Sequence, residues 1–300
     1  MLAPSRGRIA LAFASLCGCS SPSSEPACRG LQRLQTCATG TVLPGVDVSE
    51  FQSTVQWDQV RAAGVAFAFA RISDGIAYPD PYFRTNWQGM RDSGIVRGAY
   101  QYFRAGVDPR AQANLVLASL EDAGGLHPGD LPVVMDIETE DGQDESTIVA
   151  HMRDWLASVR AATGRLPILY TSNGTYPVHA PTFAGYPLWV ANYDVACPLM
   201  PEGWSGWSFW QSSSTGMVAG IGLGPVDLDE FQGTLADLMA FGADAGVSPE
   251  EGGTPDAEAA GLGGVDAQGD GRAMGQAGEV IAAIDASATS ADGGAARCGP

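Results

Sequence analysis

The chain places acids where a buried strand would be expected to carry only hydrocarbon. Asp47 lies in Pro44-Gly-Val-Asp-Val-Ser, Asp136 and Glu138 in Leu131-Pro-Val-Val-Met-Asp-Ile-Glu, and Asp227 in Gly224-Pro-Val-Asp-Leu-Asp-Glu-Phe. Each run reads as a strand, with its acid near the C-terminal end. Side chains two apart on a strand share a face, so Asp136 and Glu138 point the same way and Ile137 points the other. Four carboxylates brought into one space do not all ionise cheaply, so at least one should keep its proton near neutral pH. A protonated acid beside a carboxylate is the pair that glycoside hydrolysis requires. Clustered carboxylates also suit a hard cation, and any one of the acids alone could cap a helix or bond a loop. Asp136 and Glu138 together, ending an otherwise apolar strand, fit those plainer roles least. No metal is expected.

Aromatic residues accompany the acids. Tyr100, Tyr102 and Phe103 close one apolar run, Tyr170 another, Trp189 and Tyr193 a third, and Trp210 a fourth. Tyr and Trp combine a flat apolar face with a polar handle, which suits the faces and hydroxyls of sugars. Tyr100, Trp189 and Tyr193 are the expected groove residues, with Trp210 a further candidate; about half of such aromatics would serve as packing. Other chemistries lack their signatures. There is no G-x-S-x-G elbow, no H-E-x-x-H, and no cysteine with a histidine partner, while His127, His151 and His179 are scattered. No Gly-rich phosphate fingerprint follows the first strand, so no cofactor is expected.

The elements that must hold these residues alternate. Strand-like runs cover residues 45–48, 66–72, 96–103, 131–138, 166–171, 188–193, 207–211 and 226–231. Apolar residues at three- and four-residue spacing mark helices over 55–63, 82–93, 109–120 and 147–162. Pro109 suits a first helical turn, and Gly64, Gly94 and Gly164 stand where helices end. Alternation of this kind implies parallel βαβ units. Eight strands in so short a span fit an α/β fold, a single TIM-like (β/α) barrel, irregular near its end where little room remains for helices. Closure makes the first and last strands neighbours, bringing Asp47 and Asp227 to the other acids at the C-terminal mouth, where barrel enzymes keep their chemistry.

Composition divides the chain. Residues 1–19 read as an export signal: Arg6 and Arg8 precede a short apolar run, and Leu16-Cys17-Gly18-Cys19 resembles a lipobox, with Cys19 as the lipidated residue. Residues 20–41 form a Ser/Pro linker and a short loop expected to be closed by a Cys28–Cys37 disulfide, since export reaches an oxidising compartment. Residues 42–244 are the catalytic barrel. Residues 245–300, rich in Gly, Ala, Asp and Glu and free of aromatics, are expected to be a disordered tail. The net charge is −18 and all sixteen basic residues are Arg, which argues against nucleic acid as a partner. The expectation is an exported monomer, either an envelope lipoprotein (outer membrane or periplasm) or secreted, touching a membrane only through a lipid on Cys19.

The ordered set of segments is similar to the glycoside hydrolase family 25 lysozymes, the Chalaropsis-type muramidases. It comprises Gly45-Val-Asp-Val-Ser-Glu-Phe-Gln52, Trp57, Phe67-Ala-Phe-Ala-Arg71, Phe83 with Asn86, Gly98-Ala-Tyr-Gln-Tyr-Phe103, Gln112-Ala113, the Leu131–Glu138 run, Leu188-Trp-Val-Ala191, Phe209-Trp-Gln211 and Val226-Asp-Leu228. The resemblance runs from about Gly45 to Phe241. It implies an irregular α/β barrel that cleaves the β-1,4 bond between N-acetylmuramic acid and N-acetylglucosamine in peptidoglycan glycan strands. It implies Glu138 as acid/base and Asp136 as the group that positions the substrate's acetamido nucleophile, with a direct carboxylate nucleophile as the competing account. Asp47 and Asp227 would tune and orient that pair. Two positions depart from the family pattern. Ser53 stands where Gly is frequent, and Gln101 where His is common; the second is expected to touch the groove and alter substrate preference. A catalytically silent peptidoglycan-binding lipoprotein that keeps the groove is the alternative reading, and a metal-dependent hydrolase a third.

Overall fold

The structure, a computed structural model, describes residues 34–172 and 180–243. The expected export signal with Cys19, the linker cysteine Cys28 and the expected disordered tail lie outside the described residues. In chain order the elements are β1 (Val42–Val48), a 3-10 turn (Glu50–Gln52), α1 (Trp57–Ala62), β2 (Phe67–Asp74), β3 (Tyr78–Pro79) and α2 (Phe83–Asp92). There follow β4 (Val96–Tyr102), α3 (Pro109–Asp122), β5 (Val134–Asp136), α4 (Glu145–Thr163), β6 (Ile168–Ser172) and α5 (Ala180–Phe183). The chain then runs through β7 (Leu188–Ala191), β8 (Phe209–Gly216), β9 (Val226–Gln232) and α6 (Leu235–Ala243). Eight strands close a ring in the order β1-β2-β4-β5-β6-β7-β8-β9, and β3 hangs on β2 as an edge hairpin.

Local chemistry explains the helix ends. Asp108 caps α3 by accepting from the Ala111 N–H at 2.8 Å, and Pro109 fills the first turn. Asp144 does the same for α4 through the Thr147 N–H at 3.0 Å, and Gly164 ends that helix in the left-handed region at φ 68°. The α6 helix, which the periodicity left unassigned, plugs the N-terminal end of the barrel: Leu238 is fully buried and Phe241 packs edge-on to Phe209 and Phe231.

The barrel wall separates two hydrophobic layers. Outward residues such as Val46, Val48, Ala68, Ala70 and Ala99 pack beneath the helices, while Phe67, Phe69, Tyr100, Val134, Tyr170, Trp189 and Phe209 fill the interior. Period-two alternation assigns these faces. The interior is crowded, and Gly45 and Gly98 make room: a Cβ on either would clash with the Phe67 or Phe69 ring. The two phenylalanines thereby form the floor beneath the mouth.

Two expectations change. First, β9 is antiparallel to both β1 and β8, whereas the other ring pairings are parallel. The segment 217–225 that joins β8 to β9 carries no helix and is too short for a parallel crossover. Second, Cys37 is bonded to Cys197, with Cα atoms 4.6 Å apart, so the Cys28–Cys37 pairing does not form. The reason is tertiary. A bridge between Gln35 and Leu199, and a hydrogen bond from Gln35 Nε2 to the Cys197 carbonyl at 2.9 Å, lay the segment before β1 along the β7–β8 loop. Proximity in space, not in sequence, selects the partner.

Candidate active site

All four sequence-selected acids meet at the C-terminal mouth of the barrel, where they line one cleft of about 220 Å³. Asp47 ends the inward face of β1, and Asp136 is the last residue of β5. Glu138 lies two residues beyond Asp136 and keeps its orientation. Asp227 arrives differently. It stands at the start of β9, not near its C-terminal end as expected, and reaches the mouth because β9 runs antiparallel and pairs Asp227 with Asp47. Asp47 and Asp136 are 5% and 4% exposed, while Glu138 and Asp227 are half-buried and face the opening.

Burial without a bonded cation governs their protonation. Desolvation, then the nearby Glu138 and Asp47 charges, push Asp136 well above the usual carboxylate range. Asp47 is raised by burial and by Asp227, and Asp227 is pushed up to about 6 by burial and then Glu138. Glu138 is raised by burial, while the neighbouring Asp136 carboxyl pulls the other way. Asp136, the more deeply buried of the two, is raised the further and holds its proton the more firmly. Asp47 and Asp227 titrate as a unit.

A polar scaffold fixes the cluster. The Gln211 amide donates from Nε2 to Asp47 Oδ2 at 2.7 Å, and its carbonyl accepts from the Tyr170 and Tyr193 hydroxyls, each at 2.7 Å. The Tyr100 hydroxyl shares the cleft with Asp47. Arg71 is the cation lining the cleft; it is tied to Glu50 at 2.8 Å and Asp80 at 3.3 Å, and acts on Asp136 only through space. Ser53 occupies the left-handed region at φ 56°, where glycine would sit without strain, and its hydroxyl lies 3.1 Å from that of Tyr82. Among the described residues no His, Cys, Asp and Glu side chains form a metal-binding group.

Of the expected groove residues, Tyr100, Trp189 and Tyr193 line the cleft. Trp210 and Gln101 do not. Gln211 faces inward, so Trp210 must face outward; it packs on Trp207 and donates to the Asn192 carbonyl at 2.9 Å. Gln101 lies between the inward Tyr100 and Tyr102 and is fully buried outside the barrel. It donates to Ser73 Oγ at 2.9 Å and accepts from Trp155 Nε1 at 2.7 Å. Its replacement of a common His therefore alters the packing layer, not the groove.

The cleft also takes in Gln211, Tyr170, Arg71, Phe51 and Tyr102, of which the sequence marks Tyr170 and Tyr102 as accompanying aromatics without selecting them for the groove. For four of them the signal was present, since Gln211, Tyr170, Arg71 and Tyr102 share the inward parity of Phe209, Ile168, Phe69 and Tyr100. Phe51, 70% exposed at the rim with the Arg71 guanidinium 5.3 Å from its ring, carried no periodic signal.

Comparison with known proteins agrees with this geometry. Residues 46–221 match the family model described as glycosyl hydrolases family 25. Lysozyme M1 of Streptomyces globisporus is 33% identical over 211 residues, covering 66% of this chain and 70% of that protein. An uncharacterized Escherichia coli K12 protein, YegX, is 37% identical over 203 residues, covering 66% and 72%. The crystal structure of a bacterial lysozyme from Streptomyces coelicolor superposes with a TM-score of 0.64 at 31% identity, covering 68% of this chain and 98% of that one. With the matched segment spanning more than half of the sequence and every acid of the motif at the barrel mouth, the chain belongs to glycosyl hydrolase family 25.

Proposed function

We propose that the protein is a lysozyme that hydrolyses the β-1,4 bond between N-acetylmuramic acid and N-acetylglucosamine in peptidoglycan. The observation that carries this reading is the Asp136–Glu138 pair at the mouth of one cleft, with no bonded cation among the described residues and with Tyr100, Trp189 and Tyr193 as its walls. Glu138, the more exposed partner, takes up the proton that Asp136 gives up as the substrate seats, and delivers it to the glycosidic oxygen of the leaving sugar. Asp136, relieved of that proton, becomes the buried acceptor that orients the acetamido group as its oxygen attacks the anomeric carbon. Water then opens the cyclic intermediate, with Glu138 taking its proton back. Asp227, ionised above a pH of about 6, places negative charge near the developing oxocarbenium ion, and Asp47, held by the Gln211 amide, backs it from below. The silent-binding alternative gains no support from the site, which keeps every acid.

The protein would act outside the cytoplasm as a monomer, tethered through Cys19. Mass spectrometry of the processed N-terminus tests the tether, and an unacylated start would refute it. Digestion of purified peptidoglycan, with mass spectrometry of the products, tests the reaction. Muramic acid at the new reducing ends is expected; glucosamine at those ends, or binding without cleavage, would overturn the proposal.

A further inference from the structure

One buried acid in the barrel is not used by this mechanism. Asp229 lies two residues past Asp227 on the same inward face of β9, below the cleft, and is 2% exposed. Gly45 on β1 and Gln211 on β8 are its cross-strand neighbours. Its Oδ1 accepts from the Trp189 indole N–H at 3.0 Å, while Oδ2 is buried with no hydrogen-bond partner among the described residues. The acids facing it are Asp47 on β1 and Asp227 on its own strand, and among the described residues no arginine is bonded to it.

Hydrogen bonds compensate these buried acids unequally. Asp47 accepts from the Gln211 amide, which offsets part of what burial and Asp227 impose on its ionised form. Asp229 has a single donor and an empty oxygen. A bare carboxylate oxygen buried beside two other acids is the costliest arrangement available, and a proton on it removes the charge.

We propose that Asp229 is a permanently neutral acid and a positioning residue. It anchors the Trp189 indole that walls the sugar cleft while adding no charge beneath Asp47 and Asp227. This rests on the muramidase reading above, because Trp189 acquires its role from the glycan. A charged Asp229 would raise the proton affinity of the whole cluster, whereas a neutral one leaves Glu138 and Asp136 to set it. Trp189 stacks on Phe69 at 4.5 Å and meets Tyr170 edge-on at 4.7 Å, so the anchor at its Nε1 fixes the remaining freedom of the ring.

The test uses the full chain with Asp229→Asn, which keeps a neutral acceptor for the indole, and Asp229→Leu, which removes it. The infrared difference between wild type and Asp229→Asn at neutral pH should contain one protonated-carboxyl C=O band. Asp229→Asn should keep kcat, KM and both limbs of the pH profile within about twofold, while Asp229→Leu raises KM about tenfold with a smaller change in kcat. Absence of the band would overturn the proposal. So would an alkaline limb that falls by about one pH unit in Asp229→Asn, the mark of a real negative charge removed. If Asp229→Leu does not fold, the band and the pH limbs still decide. Wild-type cleavage of peptidoglycan is measured in parallel, so failure of the muramidase reading shows as inactive wild type and is separate from these outcomes.

Discussion

The barrel buries acids at both ends, and it treats them in opposite ways. At the closed end Asp130 is gripped by Arg97 through two bonds of 2.7 and 2.9 Å and by the His127 N–H at 2.7 Å. Arg97 also donates to the Trp87 carbonyl and stacks 3.9 Å over that indole. At the open end Asp47, Asp136 and Asp229 are as deeply buried, yet none forms an ion pair among the described residues. Arg71, the cation near enough to serve, is occupied by Glu50 and Asp80. One arrangement cancels charge and fastens strands together. The other leaves carboxyls to bargain over protons, at a cost in stability that the closed end and the aromatic floor offset. Burial of an acid is therefore no guide to its role until its partners are known.

The sharpest way to break the comparison is to orphan the paired acid. Arg97→Ala strands Asp130 in the interior and should lower unfolding stability by about 3–5 kcal/mol, read from denaturant midpoints. A loss well under that would mean the closed end is not the anchor described here.

A smaller effect separates the two faces of the wall. Gln101→Leu leaves the Trp155 indole N–H and Ser73 without their partner and should cost about 1–3 kcal/mol of stability. KM for peptidoglycan should not change, because the residue lies outside the barrel. A raised KM would return Gln101 to the groove.

These two residues also show what was legible in the sequence. Asp130 and Arg97 lie outside the motifs, and nothing in composition pairs them. The acids of the mouth were visible because a carboxylate in an apolar run breaks an expected pattern. The two-residue rule that joined Asp136 to Glu138 applies equally to Asp227 and Asp229, and would have found the buried acid had it been carried to the last strand. Parity also places Trp210 and Gln101 outside, since Gln211 and Tyr100 point in. Strand direction was harder. The position of Asp227 made sense at the mouth only once β9 was seen to run backwards, and that depends on a connection length, not on the strand's own residues. The Cys37–Cys197 bond was beyond reach for the same reason, because 160 residues separate partners that only the folded barrel brings together.

The gentlest probe is pH. Carboxyls whose folded pKa is raised bind more protons in the folded chain than in the unfolded one. Stability therefore falls as pH rises from the unfolded value through the folded one. For Asp227 that window runs from 3.8 to about 6. The thermal midpoint should be higher near the bottom of this window than above it, and Asp227→Asn should flatten the slope. A midpoint that rises with pH across the window would mean that the mouth acids are stabilised as anions.

The most direct test of the account is the turnover of Glu138→Gln on purified peptidoglycan, with its thermal midpoint measured alongside. The account predicts a fall in kcat of about 10²–10⁴-fold with the midpoint unchanged or raised, since a proton donor is lost while a poorly compensated acid is removed. Near-normal turnover by a folded Glu138→Gln variant would contradict it, and would move the chemistry away from the unpaired acids of the barrel mouth.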